Sequence, residues 1–291
     1  MHEIEIPEIK KRLYLPSDLS ECDARQYAGI SNLLYKYQIG EIDYNVLRVR
    51  AVYVLLDMKH KEGSLEDEEY KMGNIYQVSL LLDSFFEDVE GKKVIKQYYV
   101  NNPIQKVGYF GKTFYGPTDE FQNVKFGEYV DALHYFTEYN ETKDTEYLYL
   151  LMATLYRKGN NYKLAMKKPD VRVFYEESEV LHKIKYFKKL DFGQVYGFYL
   201  LFASFQKYMC SAKIYYQGQE LDLSILFAPD KSAFKSDIPG LGMKTTLYTI
   251  AESGVFGSIK DLKKESLWEI LLRMYDLTKR DKDFIAQQKT K

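Results

Sequence analysis

The sequence predicts a mainly α-helical protein with a small β insertion, an α+β fold in which helical hairpins pack around an aromatic-rich core. Apolar residues recur with the period of one helix face through most of the chain. One run, residues 92–117, is instead rich in Val, Ile and Tyr and is interrupted by Asn-Asn-Pro and Gly, which is typical of strands and turns. Aromatic residues make up 16% of the 291 residues, and their size suits a core or an interface.

The first part of the chain predicts an extended arm followed by a capped helix. Residues 1–16 predict a short strand or arm, and their charges and prolines argue against a signal peptide. Ser20 and Asp23 have the spacing of a capping box, in which each side chain satisfies the other's backbone N–H. The helix that follows extends to about Gln38, and Gly40 stands where a C-cap is expected.

A second amphipathic helix is predicted over residues 43–58, and the short connection requires the two helices to be antiparallel. Residues 61–90 contain nine acidic and two basic side chains. These acids either complement the positive end of a helix that extends to about Phe86 or form a docking surface for a partner. With the β element at 92–117, these helices form a predicted N-terminal helical region, residues 1–118.

The stretch FGEYVDALHYFTEYNETKDTEYLYLLMATLYRK, residues 126–158, predicts a helical hairpin. Apolar side chains fall on one face of each helix: Tyr129, Leu133 and Phe136 on the first, and Leu148, Leu151, Met152 and Leu155 on the second. Residues 140–144 form the predicted turn, with Asp144 as N-cap. His134, between apolar neighbours, is interpreted as a structural or surface histidine.

The remaining elements complete a predicted C-terminal helical region, residues 119–291. They are a helix over 191–209, strands over 213–227 and a helix over 240–257. Ser266 and Glu269 have capping-box spacing and predict a last helix. Its predicted core side is formed by Trp268, Ile270, Leu271 and Leu272. The polar tail KRDKDFIAQQKTK is expected to fray.

Charge and composition exclude several classes of partner. The 41 basic and 42 acidic residues give a net charge of −1, so bulk electrostatics do not call for nucleic acid or an anionic membrane. The longest uncharged run, residues 192–206, is shorter than the roughly 20 residues that span a bilayer. Cys22 and Cys210 lie far apart and favour a reducing compartment. We therefore expect a soluble protein.

Motifs that carry chemistry are missing from the sequence. GLGMKTT, residues 240–246, lacks the glycine-to-lysine spacing of a phosphate-binding loop. Neither a nucleophile elbow nor a His-Glu-x-x-His zinc motif occurs. We predict that the protein is not an enzyme and needs no cofactor or metal.

A basic region is the one candidate binding surface. Between Arg157 and Lys189 there are ten basic and four acidic residues, with aromatic residues between them. Nucleic acid, another protein or solvent could face such a surface, and a protein is the expected partner. The candidate partner-binding residues are Lys167, Lys168, Arg172, Lys183, Lys185, Lys188 and Lys189.

Three segments together resemble uncharacterised proteins of Bacteroidetes phages and prophages that are associated with tail-module genes. They are LPSDLSECDARQYAGISNLL (15–34), FGEYVDALHYF with YLYLLMATLYR (126–157) and GLGMKTTLYTIAESGVFG (240–257). The resemblance implies a role in virion morphogenesis, resembling that of a tail assembly chaperone that holds the tape-measure protein in the host cytoplasm. It brings no functional residues with it.

The composition is compatible with that role and with two alternatives. A chaperone for a long amphipathic helix needs grooves lined by adaptable apolar and aromatic side chains. The same aromatic content, with acidic and basic regions that pair between copies, would serve a structural subunit of the virion, including a homo-oligomer. The third hypothesis is a nucleic-acid-binding accessory protein that uses residues 157–189.

Overall fold

The computed structural model describes residues 1–6, 10–59, 65–227, 250–252 and 255–289. It confirms the predicted class, because helices dominate and the sheets of the described residues are small and antiparallel. The predicted helix over 240–257 and the GLGMKTT segment lie almost entirely outside the described residues.

Groups of consecutive helices and groups of consecutive strands follow one another along the chain. The helices are α1 (Ala24–Gln38), α2 (Tyr44–Leu55), α3 (Leu65–Ser79), α4 (Phe126–Thr142), α5 (Glu146–Leu155), α6 (Asn161–Ala165), α7 (Ser178–Phe187), α8 (Phe192–Ser211), a short helix Ile259–Leu262 and a last helix Leu267–Lys289. The strands are β1 (His2–Ile6), β2 (Lys11–Leu15), β3 (Phe86–Val89), β4 (Lys92–Ile95), β5 (Lys106–Tyr109), β6 (Lys112–Tyr115), β7 (Arg157–Lys158), β8 (Lys213–Tyr216) and β9 (Gln219–Asp222).

The chain divides into two compact units, each built from two segments. Unit 1 comprises Met1–Gln105 and Lys188–Ser204, and unit 2 comprises Lys106–Phe187 and Phe205–Lys291. Helix α8 thus contributes its first residues to unit 1 and its last residues to unit 2. The boundary predicted between residues 118 and 119 falls within unit 2.

The start of α1 is fixed by a capping box of Asp23 and Gln26, three residues later than the predicted pair of Ser20 and Asp23. The Asp23 carboxylate accepts the backbone N–H of Gln26 at 2.8 Å, and the Gln26 side chain accepts that of Asp23 at 3.0 Å. Ser20 lies in a preceding 3₁₀ turn, where its N–H is bonded to Asp18 at 2.7 Å. Gly40 follows α1 with φ of 75°, which agrees with its predicted place at the helix end.

The predicted hairpin of α4 and α5 is confirmed. The face of α5 predicted to be apolar is buried at Leu148, Leu151, Met152 and Leu155. In the turn, Lys143 adopts the left-handed conformation at φ 60°. Thr145, and not Asp144, occupies the N-cap position of α5, while the Asp144 carboxylate accepts the N–H of Glu146 at 2.9 Å.

Three β-hairpins share one type of turn. In each, two central residues have positive φ, near 50° and then near 80°, and the second is glycine: Glu90–Gly91, Phe110–Gly111 and Gln217–Gly218. This pattern is that of type I′ turns, whose twist matches that of the flanking strands. The β element predicted at 92–117 corresponds to β4, β5 and β6. Strand β3, which precedes it, pairs with β4, and β7 adds a third strand beside β6.

The last helix follows the prediction at its start and departs from it at its end. Leu267, Ile270 and Leu271 are buried, while Trp268 is half-buried and donates its indole N–H to the carbonyl of Glu120 at 3.0 Å. The tail that was expected to fray continues the helix to Lys289. Good helix formers in that tail, such as Ala, Gln and Lys, explain the extension.

In unit 1, two glycines of α8 allow it to lie directly against α1. A Cβ at Gly193 would stand 2.0 Å from the carbonyl oxygen of Ala28, and one at Gly197 would stand 2.8 Å from the Tyr27 ring. The Tyr27 hydroxyl donates to the Gly197 carbonyl at 2.9 Å. The two helices are therefore in backbone contact at this crossing.

We expect Gly193→Ala to lower the free energy of unfolding by about 1–3 kcal/mol, because the methyl group meets a backbone atom that cannot rotate away. Gly73→Ala is the matched control, since Gly73 lies in α3 with open space around its Cα. Alanine there should raise the free energy of unfolding by at most about 1 kcal/mol. Denaturant unfolding of both variants measures the difference. Equal stabilities would contradict the close packing.

Candidate functional site

A groove with a volume of about 290 Å³ lies on unit 1 between α1, α8 and the β3–β4 hairpin. Its lining is mainly aromatic and aliphatic and includes Leu34, Tyr37, Phe86, Val94, Tyr196 and Tyr199. We call it the tyrosine-lined groove. Each wall comes from a different part of the chain, because the three elements are far apart in sequence.

The aromatic wall is held in place by ring contacts. The ring of Tyr196 lies 5.1 Å from that of Tyr35 and 5.4 Å from that of Tyr199. The Tyr196 hydroxyl is hydrogen-bonded to the side chain of Gln38. Because each ring is supported by another, the wall keeps its shape without a ligand, which lowers the entropic cost of binding.

The opposite wall is the β3–β4 hairpin. Val94 is 37% exposed, while Phe86 is buried and packs edge-on against Tyr44 at 5.1 Å. Gln97 donates to the carbonyl of Leu200 at 3.5 Å, which ties the hairpin's exit to α8. Polar groups thus stand among apolar walls, the arrangement that binds an apolar side chain and orients the segment carrying it.

The basic residues predicted as a binding surface are split by the structure. Lys167, Lys168, Lys185, Lys188 and Lys189 are exposed. Arg172 is completely buried, and Lys183 is 8% exposed. Their assignment to a surface is therefore wrong, because both side chains point into unit 2.

Arg172 is buried because four polar groups of unit 2 converge on it. Its guanidinium donates to the carboxylate of Asp170 at 2.8 Å, to Glu128 at 3.3 Å, and to the carbonyl oxygens of Leu155 at 2.9 Å and Asn123 at 2.5 Å. The side chain thus joins the end of α5 to the loop before α4. Its role is structural.

Glu128 is the centre of this ion network. It is fully buried, and Arg157, 2% exposed, pairs with it at 3.0 Å. The Glu128 carboxylate also accepts the backbone N–H of Lys125 at 2.7 Å, which caps α4. Burial lowers the pKa of Arg157 while the Glu128 charge opposes that shift. Two guanidinium groups are stabilised inside unit 2 in this way.

Lys183 extends the network with a third cation. Burial lowers the pKa of its amine from 10.5 to about 8, and the nearby charge of Arg157 acts in the same direction. Sequence reasoning missed this group of residues, since Glu128, Arg157 and Arg172 share no local spacing. Lys125 is not a residue type that favours the N-cap, so no capping-box pattern marks Glu128 in the sequence either.

The histidines and thiols form no site among the described residues. The Nδ1 of His134 lies 3.8 Å from Glu138 one helical turn later, and both side chains reach solvent. No group of His, Cys, Asp or Glu that could hold a metal ion occurs in the described part of the chain. Within that part, no helix has the length and apolar content needed to cross a membrane.

No protein-family model matches this sequence, and neither a curated protein nor a solved structure is similar to it.

We expect Glu128→Gln to lower the free energy of unfolding by about 3–5 kcal/mol, because it leaves two buried guanidinium groups short of a counter-charge. The control is Glu41→Gln, which breaks the exposed pair of Glu41 with Lys36 at 3.0 Å and should cost less than about 1 kcal/mol. Chemical denaturation measures both. Similar losses would contradict a central role for Glu128.

The amine of Lys183 should make stability depend on pH. The unfolded chain keeps this proton up to about pH 10.5, whereas the folded chain loses it near pH 8. Between these values the unfolded state binds more protons, so the free energy of unfolding increases with pH. Lys183→Met should therefore be more stable than the wild type at neutral pH, and the gap should close above pH 8. Lys185→Met, at an exposed site of the same helix, is the matched control and should bring no comparable gain in stability at neutral pH. If the stability difference between Lys183→Met and the wild type increased with pH, the lowered pKa of Lys183 would be contradicted.

Proposed function

We propose that this protein acts through protein–protein contacts as a tail assembly chaperone-like protein of a phage or prophage. The observation that supports binding is the tyrosine-lined groove of unit 1, with its supported aromatic wall. The phage setting rests on the resemblance of the three sequence segments. Its partners would be other assembly proteins, with the tape-measure protein first among them, in the cytoplasm of the bacterial host.

The proposed ligand is an amphipathic helix that places apolar side chains in the groove. A volume of about 290 Å³ is at the lower end of ligand pockets, so it suits the anchoring side chains of a longer segment. Tyr and Gln side chains on its walls can bond to the polar flank of that segment. A chaperone of this kind keeps apolar helices apart until they assemble.

A structural virion subunit is the second candidate. Large apolar side chains are exposed on several elements outside the groove, as at Tyr70, Tyr162, Phe174, Leu181 and Phe284. Exposed apolar groups are common in lasting contacts between subunits, including copies of one chain. Mass spectrometry of purified particles separates the candidates, because a chaperone is absent from them and a subunit is abundant.

The test is co-expression with the tape-measure protein of the same phage or prophage. Val94→Asp places a charge in the groove at a position that is already partly exposed, so the fold should be retained. Val89→Asp is the matched control, because Val89 is a 46% exposed valine of the same hairpin outside the groove lining.

We expect the wild type and Val89→Asp to keep the tape-measure protein soluble and to co-purify with it. Val94→Asp should weaken the complex at least about tenfold, or about 1.4 kcal/mol. Circular dichroism checks that both variants fold. Co-purification that is equally strong with Val94→Asp would count against the groove, and abundant protein in mature particles would favour the subunit.

A further inference from the structure

The tip of the β5–β6 hairpin carries an aromatic residue where a turn residue is expected. Phe110 is 93% exposed and has φ of 51°. The first central position of a type I′ turn favours Asn, Asp or Gly, and a bulky residue at positive φ is unusual. A phenylalanine is less favourable for this turn than Asn, Asp or Gly, and its ring lies in solvent. Such an unfavourable choice suggests that the ring takes part in binding.

Phe110 belongs to a larger surface of aromatic rings and ammonium groups within unit 2. Tyr109 lies opposite Lys112 across the hairpin, and its ring is 5.8 Å from that of Phe110. The Lys112 ammonium donates to the Tyr186 hydroxyl at 2.5 Å and lies 4.2 Å from that ring. Lys185 approaches the same ring to 5.5 Å.

Three lysines contribute ammonium groups to this surface. Lys158 of β7 lies opposite Phe114, whose ring is 5.8 Å from Tyr186, and it adds a third ammonium group. The hydrogen bond from Lys112 lowers the pKa of Tyr186, and the charges of all three lysines act in the same direction. Within the described residues, no carboxylate pairs with Lys112, Lys158 or Lys185.

In the β8–β9 hairpin, by contrast, the lysine and the exposed tyrosine are both bonded to a carboxylate. It has the same type of turn and an exposed Tyr215. Its lysine, Lys213, is paired with Glu220 at 3.1 Å, and the Tyr215 hydroxyl donates to the same carboxylate at 3.3 Å. This hairpin is therefore a natural control for the first.

We propose that the face formed by Tyr109, Phe110, Lys112, Lys158, Tyr186 and Lys185 binds single-stranded nucleic acid. Bases stack on the exposed rings of Phe110 and Tyr109, and phosphates pair with the lysines. A protein hot spot lies within a packed apolar surround, whereas Phe110 is 93% exposed at the hairpin tip and its neighbour Tyr109 lies opposite Lys112. This site is separate from the groove of unit 1 and does not depend on the function proposed for that groove.

The test is fluorescence anisotropy of a labelled oligothymidylate of about 16 nucleotides with the full chain. Three phosphate contacts predict that affinity falls roughly 20-fold between about 50 and about 200 mM salt. Phe110→Asn should weaken binding about fivefold or more, although asparagine is the better turn residue and should not destabilise the fold. Tyr215→Ala should leave affinity unchanged, and Lys185→Gln should flatten the salt dependence.

Four results would overturn the proposal: no binding at the lower salt concentration, equal binding by Phe110→Asn and the wild type, equal binding of duplex and single strands, or equally tight binding of polyglutamate with the same dependence on Phe110. Polyglutamate serves as a competitor that lacks bases. If polyglutamate binds as tightly and with the same dependence on Phe110, the partner of this surface is an acidic protein. Because the variants lie in unit 2, failure here leaves the test of the groove unaffected.

Discussion

The backbone contact between α1 and α8 is the constraint on which unit 1 depends. Only glycine at positions 193 and 197 leaves room for the carbonyl of Ala28 and the ring of Tyr27. The contact brings together two helices separated by more than a hundred residues and places Tyr196 beside Tyr35. From there the wall extends to Tyr199, and the hairpin completes the groove. A fold with more distant helices would bury these tyrosines differently, so the shape of the groove follows from the packing.

Unit 2 contains a buried ion network, so some of its basic residues have a structural role and do not form a binding surface. Glu128 and Asp170 hold Arg157 and Arg172 inside the unit, where the ions fix one arrangement of α4, the end of α5 and the loops before α4 and after α6. Burying such charges contributes little net stability, but removing one partner is costly. Lys112, Lys158 and Lys185 of unit 2 are exposed, and in the part of the chain that the structure describes they form no ion pair with a carboxylate.

Sequence alone predicted the elements that are defined by local pattern. The α4–α5 hairpin was predictable because its apolar residues recur every three to four positions. The groove was not, because its walls come from three distant segments and no local spacing relates Val94 to Tyr196. Arg172 was assigned to a surface for the same reason, since three of its four partners, Leu155, Asn123 and Glu128, lie 17, 49 and 44 residues away in the sequence. The predicted capping box of α1 was displaced by three residues because Ser and Asp are both good N-cap residues, and Asp18, Ser20 and Asp23 lie close together in the sequence.

The claim that the tyrosine-lined groove holds a protein segment is tested most directly by photocrosslinking in cells that assemble the particle. A photoreactive amino acid replaces Val94 in the groove or, as control, Val89 outside it. We expect one major product from position 94, with the crosslink mapped by mass spectrometry to an apolar helical segment of the tape-measure protein, and no such product from position 89. Equal products from both positions, or none from position 94, would contradict the claim.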